Sequence, residues 1–117
     1  MGAAVWDAVV AGAGPAGSVA ALVLARGGAR VLLVDPDDFP RDKACGDFVG
    51  PRGVRLLGEL GVPVAGGRVL DPHIDLQAPS GRVLGLPWSP STMRLPDRVL
   101  AIARTDLDAS LRDAALA

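Results

Sequence analysis

A glycine-rich segment near the start of the 117-residue chain has the spacing of an anion-binding loop. Residues 12–17 read GAGPAG and match the pattern G-x-G-x-x-G. In that pattern Gly12 would permit a tight turn, Gly14 would let a pyrophosphate approach the backbone, and Gly17 would allow a helix to pack closely on a strand. A helix that begins here would present free N–H groups and the positive end of its dipole to the anion. The segment therefore predicts a pyrophosphate-binding loop.

An acidic residue stands where a ribose-binding carboxylate would be needed. Asp35 follows Gly17 by 18 residues, at the end of the next apolar run. Its carboxylate would accept hydrogen bonds from ribose hydroxyls, and its negative charge would repel a 2′-phosphate, which disfavours NADP at this loop. The loop itself does not separate FAD from NAD. The alternative is that the glycines serve turn geometry alone and that Asp35 caps a strand end in water.

The elements that must position this loop form a β-α-β unit. Val5–Ala11 is a short apolar run that predicts a strand buried on both faces of a parallel sheet, and Val31–Val34 predicts a second strand that ends at Pro36. Between them Ala16–Arg26 predicts a helix. Its expected inward face consists of Val19, Ala20, Val23 and Leu24. The fold class is accordingly α/β, an incomplete Rossmann-like domain that binds FAD or NAD(P).

The rest of the chain predicts a loop, a helix and the start of an antiparallel β excursion. Residues 37–49 are a polar loop, and residues 51–60 a helix with Pro51 in its first turn and Gly61 as its stop. Residues 66–88 change to alternating polarity around the turn 79–81, which predicts a hairpin with one solvent-exposed face. A proline-rich link, residues 87–96, follows. We find no internal repeat.

The last two predicted elements are a strand at Arg98–Ala103 and a helix from Thr105. Asp108 lies three residues after Thr105, which predicts a capping box at the start of this helix. Leu107, Leu111 and Ala114 share its apolar face.

Composition excludes several function classes. The chain has 12 basic and 13 acidic side chains with no basic stripe, so we expect no nucleic-acid partner. The single cysteine excludes an internal disulfide and fits a cytoplasmic location. The sequence has a single histidine, His73, and no carboxylates clustered at the spacing of metal ligands, so it does not support a metal site. We expect His73 on the solvent side of its strand. Residues 8–25 carry no charge, but glycines interrupt them, so we predict no transmembrane segment.

Three separated segments resemble the geranylgeranyl reductase family of FAD-dependent oxidoreductases, which is related to the aromatic-ring flavin monooxygenases. They are FPRDKACGD at 39–47, PRGV with LLGELG at 51–61, and RTDLDASL at 104–111. The K-x-C-G-D loop is the specific part, whereas the glycine-rich loop is common to many flavoproteins. Asp35 departs from the family, in which Glu is commoner at this position.

Carried over by position, the resemblance implies FAD as cofactor and assigns its binding residues. Gly12, Gly14, Pro15, Ala16 and Gly17 would hold the pyrophosphate, and Asp35 the adenosine ribose. Arg41 and the turn Cys45, Gly46 and Asp47 would lie near the flavin side, and Arg104 near the pyrophosphate and ribitol. Alternatively, Arg41 and Lys43 belong to a solvated loop, Arg104 is a surface residue and Cys45 is inert packing. No catalytic residue is assigned.

The resemblance implies reduction of carbon–carbon double bonds in an isoprenoid or other apolar substrate, with reduced nicotinamide, NAD(P)H, as donor. An aromatic-substrate monooxygenase is the first alternative. A halogenase fits less well, because Lys43 is the only lysine and the lysine expected further along is missing. A non-catalytic nucleotide-binding stub is a third alternative. We expect the full-length protein in the cytoplasm, with peripheral membrane contact as the alternative.

The length suggests a truncated FAD-binding portion that is inactive alone. We predict that residues 1–117 are the N-terminal part of a single FAD-binding domain. In it, residues 1–36 form the ADP-binding β-α-β unit, residues 37–103 the cofactor loop, a helix and the β excursion, and residues 104–117 the start of a helix.

Overall fold

The computed structural model describes residues 5–70, 73–87 and 98–117. Seven strands and three helices lie in these ranges. In chain order they are β1 (Ala8–Ala11), α1 (Pro15–Arg26), β2 (Val31–Val34), β3 (Phe48–Val49), α2 (Pro51–Glu59), β4 (Arg68–Leu70), β5 (His73–Gln77), β6 (Val83–Pro87), β7 (Val99–Ala101) and α3 (Arg104–Leu116).

The β-α-β unit predicted from the sequence is present, and the α/β fold class is confirmed. Strands β1 and β2 pair in parallel, with Ala8 opposite Val31 and Ala11 opposite Val34. Helix α1 crosses between them and begins at Pro15, whose missing N–H costs nothing in a first helical turn. Strand β2 and helix α2 also lie where predicted, because Pro and Gly residues mark their ends.

Two predictions about how this unit is buried are wrong. Strand β1 begins only at Ala8 and is not buried on both faces, because in the described part of the chain it pairs with β2 alone and Val9 is 62% exposed. Helix α1 turns Ser18, Ala21 and Leu22 inward, while Val23 and Leu24 of the predicted stripe are exposed. Ser18 and Ala21 are small and Leu22 enters the core, on the face by which α1 packs against β1, β2 and α3.

An antiparallel sheet with strand order β3-β7-β4 lies beside this unit. Phe48 of β3 and Arg68 of β4 both pair with Ala101, on opposite edges of β7. Neither β3 nor β4 was predicted, since two or three residues are too few to show a period. The strand predicted at 98–103 is confirmed over its central residues, Val99–Ala101.

The predicted hairpin is confirmed in β5 and β6, which pair antiparallel from His73 opposite Pro87 to Gln77 opposite Val83. Its predicted single solvent-exposed face is wrong, because the side chains of residues 75–86 are exposed on both faces. No other described helix or strand makes extensive contact with β5 or β6. The proline-rich link lies largely outside the described residues, as does the side chain of His73.

The core lies between the three helices and β7. It contains Leu22, Leu57, Val62, Ile102, Leu107 and Leu111. The predicted apolar face of the last helix is therefore confirmed at Leu107 and Leu111. The predicted capping box is wrong, because α3 begins at Arg104 with the extended residue Ala103 as its N-cap. That start places Thr105 and Asp108 inside the helix, and Asp108 is completely buried.

Candidate functional site

An open cleft of about 430 Å³ lies at the carboxyl end of β1, between the glycine-rich loop and the loop after β2. Eight of the residues that line it were predicted from the sequence to bind a cofactor. These are Gly12, Gly14, Pro15, Ala16, Gly17, Asp35, Arg41 and Arg104. Ligands of open α/β sheets bind outside the carboxyl ends of the strands, so this position is the expected one.

Gly12 and Gly17 are required by the backbone of the loop. Gly12 has φ of 102°, which favours glycine, and its N–H donates to the Val34 carbonyl at 2.7 Å. A Cβ on Gly17 would overlap the carbonyl oxygen of Gly12. Helix α1 therefore approaches the loop as closely as backbone atoms allow.

Gly14 leaves the loop backbone accessible from the cleft, although the backbone conformation at this position does not require glycine. Its backbone is extended with φ of −70°, and a Cβ there would meet only the Nη2 atom of Arg41, at 3.5 Å. Gly14 is also the N-cap of α1, and no side chain caps the helix. The first-turn N–H groups of Ala16 and Gly17 have no partner within the helix and can donate to an anion.

Asp35 joins the end of β2 to this loop. Its Oδ2 accepts the N–H of Ala13 at 2.7 Å, and its Oδ1 accepts the N–H of Asp37 at 2.9 Å. Those two N–H groups, with the nearby Arg41, lower the pKa of the Asp35 carboxyl against the opposing effect of burial. An ionised carboxylate has about four lone-pair positions. Asp35 therefore has acceptor capacity left for a ribose hydroxyl.

Arg41 is held among three carboxylates, so the solvated-loop alternative is wrong for it. Its side chain is only 12% exposed, and its guanidinium lies 3.2 Å from Asp108, 3.6 Å from Asp37 and 3.8 Å from Asp35. The Phe39 ring packs against the guanidinium at 4.7 Å. The Nε atom of Arg41 is buried without a hydrogen-bond partner. Lys43 is exposed, as expected for a residue of a solvated loop.

Arg104 is bound at two points by Asp108, so it is not an ordinary surface arginine. Its Nε donates to Oδ1 of Asp108 at 2.7 Å and its Nη2 donates to Oδ2 at 2.8 Å. This contact raises the pKa of Arg104, and its side chain is 17% exposed. Asp108 was expected in a capping box and not at this site. The spacing of four residues between Arg104 and Asp108 was the available signal.

The predicted turn at Cys45, Gly46 and Asp47 lies against the start of α3. Asp47 has a positive φ of 52°, its carbonyl accepts the N–H of Ile102 at 2.9 Å, and its carboxylate accepts the N–H of Arg104 at 3.3 Å. Cys45 is exposed and is not core packing. The N–H of Asp47 and the guanidinium of Arg104 lower the pKa of its thiol.

The donor set of the cleft fits a dinucleotide diphosphate. Free N–H groups at the start of α1, an open backbone at Gly14 and the guanidinium of Arg104 suit phosphate oxygens. The buried Nε of Arg41 makes no hydrogen bond among the described residues, although Oδ2 of Asp37 lies 3.6 Å from it. Asp35 at the end of β2 suits ribose hydroxyls.

Two other kinds of site were sought within the described ranges. No group of three or more His, Cys, Asp or Glu side chains there is arranged to hold a metal ion. The helices of the same ranges include none with the length and apolar character needed to cross a membrane.

Comparison with known proteins identifies the family. Residues 6–73 match the family model described as FAD binding domain. The menaquinone reductase of Mycolicibacterium smegmatis is 43% identical over 110 residues, which cover 93% of this chain and 26% of that protein. The chain thus spans about a quarter of the length of this curated relative.

Solved structures share the fold. A flavoprotein/dehydrogenase from Cytophaga hutchinsonii superimposes with a TM-score of 0.76 at 26% identity, over 95% of this chain and 28% of that one. The p-nitrophenol 4-monooxygenase from Pseudomonas putida superimposes with a TM-score of 0.77 at 18% identity, over 94% and 29%. The chain belongs to the FAD binding domain family of the flavin-dependent oxidoreductases and monooxygenases.

Proposed function

We propose that this chain is the ADP-binding part of a longer FAD-dependent reductase that acts on a carbon–carbon double bond of an isoprenoid chain. The observation that carries the cofactor assignment is the cleft in which the glycine loop, Asp35, Arg41 and Arg104 meet, in a chain that matches the FAD binding domain model. Two findings support the substrate class. Three segments resemble geranylgeranyl reductases, and a relative at 43% identity is named menaquinone reductase.

In this proposal the residues of the chain bind and orient the cofactor. The N–H groups at the start of α1 and the guanidinium of Arg104 hold the pyrophosphate, and Asp35 holds the adenosine ribose. The resemblance assigns Arg41, Cys45, Gly46 and Asp47 to the flavin side, but the guanidinium of Arg41 lies over the glycine loop, 3.8 Å from Asp35. When bound, FAD would supply the redox chemistry, by which a hydride equivalent from NAD(P)H and a proton are added to the substrate double bond. The residues that contact the substrate belong to parts of the protein beyond this chain.

Menaquinone contains two groups that a flavoenzyme could reduce, the quinone ring and the double bonds of its isoprenoid chain. The test uses protein expressed from the complete reading frame, incubated with menaquinone and NADPH or NADH. Mass spectrometry follows the product after the ring has been reoxidised by air. Reduction of the chain adds two hydrogen atoms that survive reoxidation, whereas reduction of the ring is reversed. A product of unchanged mass after reoxidation would exclude the proposed isoprenoid reduction of menaquinone.

A monooxygenase is the second candidate, because the fold is shared with p-nitrophenol 4-monooxygenase. Oxygen uptake in the same assay separates the two. The reductase proposal predicts NAD(P)H oxidation coupled to product under anaerobic conditions. Oxygen consumption that depends on substrate, with an oxygen atom incorporated into the product, would favour the monooxygenase instead.

A further inference from the structure

Asp108 is a buried carboxylate to which the sequence analysis assigned only a helix cap. It lies in α3, has no exposed surface and contacts two arginines that line the cleft. Arg104 donates two hydrogen bonds to it, at 2.7 and 2.8 Å. Arg41, from the loop after β2, donates a third at 3.2 Å. Both carboxylate oxygens of Asp108 are thus used by arginines.

These contacts connect two distant parts of the sequence at the cleft. Arg104 and Asp108 are one helical turn apart, so α3 itself sets their relative position. Arg41 is 67 residues before Asp108, and its Nη1 donates to Oδ2 of Asp108 at 3.2 Å. Burying a carboxylate is unfavourable unless it is paired and hydrogen-bonded, and this one is satisfied only by the two arginines among its described contacts.

The same contacts leave N–H donors of both guanidinium groups unused by Asp108. An arginine side chain has five N–H donors. Asp108 takes two from Arg104 and one from Arg41. The Nη2 of Arg41 lies over the glycine loop, 3.5 Å from the position of a Cβ on Gly14. Asp108 therefore holds Arg41 through Nη1 while the Nη2 of the same guanidinium lies over the loop, and it holds Arg104 through Nε and Nη2.

We infer that Asp108 is a positioning residue of the cofactor cleft, which acts on bound FAD only through Arg41 and Arg104. The inference rests on the proposed function, because it assumes that the cleft binds FAD. Without this carboxylate both guanidinium groups would lose their common anchor, and the cofactor affinity would fall although Asp108 touches no cofactor atom.

A double-mutant cycle tests this route of action. Asp108→Asn, Arg104→Gln and the double variant are prepared in protein expressed from the complete reading frame, and the FAD dissociation constant of each apoprotein is measured by flavin fluorescence. We expect Asp108→Asn to raise the dissociation constant about tenfold, which corresponds to about 1.4 kcal/mol. Because Asp108 acts partly through Arg104 and partly through Arg41, Asp108→Asn should weaken FAD binding clearly less than tenfold in the Arg104→Gln background.

Asp113→Asn is the matched control. Asp113 lies in the same helix, its side chain is 63% exposed, and it contacts Arg112 and not the cleft. Its substitution should leave the FAD dissociation constant unchanged. If the role of Asp108 were purely structural, Asp108→Asn would lower the melting temperature by the same amount in the wild-type protein and in the Arg104→Gln variant. Effects of Asp108→Asn and Arg104→Gln on FAD affinity that multiply in the double variant would overturn the inference, as would a wild-type dissociation constant in Asp108→Asn.

Asp108→Glu replaces Asp108→Asn if the latter does not fold, because it keeps the negative charge while moving the carboxylate by one methylene. The expected result is the same loss of affinity, smaller in the Arg104→Gln background, and unchanged affinity would again overturn the inference. The two failures are distinguishable. Wild-type protein that does not bind FAD contradicts the proposed function, whereas FAD binding with a multiplicative cycle contradicts only the role of Asp108.

Discussion

The carboxylate of Asp35 accepts the backbone N–H of Ala13 at 2.7 Å, across 22 residues of sequence. This bond ties the end of β2 to the glycine loop at the end of β1. Asp35 thus has two tasks, to hold the loop in the chain itself and to receive a ribose in the proposed complex. The Asp35 side chain is only 9% exposed, so we expect a change in its charge or hydrogen-bonding groups to affect both the loop and ribose binding.

Asp35→Asn should destabilise the protein in a manner that depends on pH. The side-chain oxygen of Asn can still accept the N–H of Ala13. Its NH2 group would then face the N–H of Asp37, and two donors cannot form a hydrogen bond with each other. The pKa of Asp35 is lowered in the folded state. Its contribution to stability is therefore present above the unfolded pKa of about 3.9 and is lost as the pH falls through the folded pKa.

Thermal unfolding of wild type and Asp35→Asn from pH 7 down to the acid limit checks this. The difference in melting temperature should be largest above about pH 5 and should shrink below about pH 4. Asp38→Asn, an exposed neighbour in the same loop, is the control. A difference that grows as the pH falls would contradict the assigned role.

Gly17→Ala should disrupt the loop, whereas Gly58→Ala should stabilise the protein. The Cβ that the first substitution adds would overlap the Gly12 carbonyl oxygen and force α1 away from β1, at a cost of about 3 kcal/mol. Gly58 lies in α2 with nothing within 4 Å of a Cβ. Alanine there should add about 0.5 to 1 kcal/mol, the ordinary helix preference over glycine. Chemical denaturation measures both free energies of unfolding, and equal effects of the two substitutions would refute the packing assigned to Gly17.

The Cys45 thiol should react with iodoacetamide at a lower pH than an ordinary cysteine. The N–H of Asp47 and the guanidinium of Arg104 stabilise its thiolate and lower its pKa. Arg104→Gln removes the second of these groups and should move the midpoint of the rate against pH upwards. Mass spectrometry of the peptide that contains Cys45 follows the alkylation. An identical midpoint in the variant would show that Arg104 does not act on the thiol.

The parts of the fold that the sequence predicted well have sharp local markers. Strand β2 is an unbroken apolar run ending at Asp35-Pro36, and α2 is bounded by Pro51 and Gly61. The inward face of α1 was predicted wrongly for a physical reason. The inward face holds Ala21, Leu22 and the polar Ser18, whose buried hydroxyl donates to the Ala13 carbonyl, so a face chosen by apolar side chains alone was the wrong one.

The site was predicted in its loop and in its arginines but not in what connects them. The glycine spacing and Asp35 carry their own chemistry, so they could be recognised in sequence. Asp108 could not be recognised, because an acid one turn after an arginine is a common surface pair on helices. The burial of Asp108 and its contact with Arg41 depend on how α3 packs against the loop after β2. No local sequence pattern predicts this packing.

Flavin binding by the Gly14→Val variant tests the central claim most directly. The backbone at Gly14 can accept a Cβ, so the fold should survive while the side chain blocks the approach of the pyrophosphate. The measurement is the flavin absorbance of protein purified from the complete reading frame, with circular dichroism to verify folding. Our account predicts a yellow wild type and a folded, colourless variant. A folded variant that retains the wild-type flavin content would contradict it.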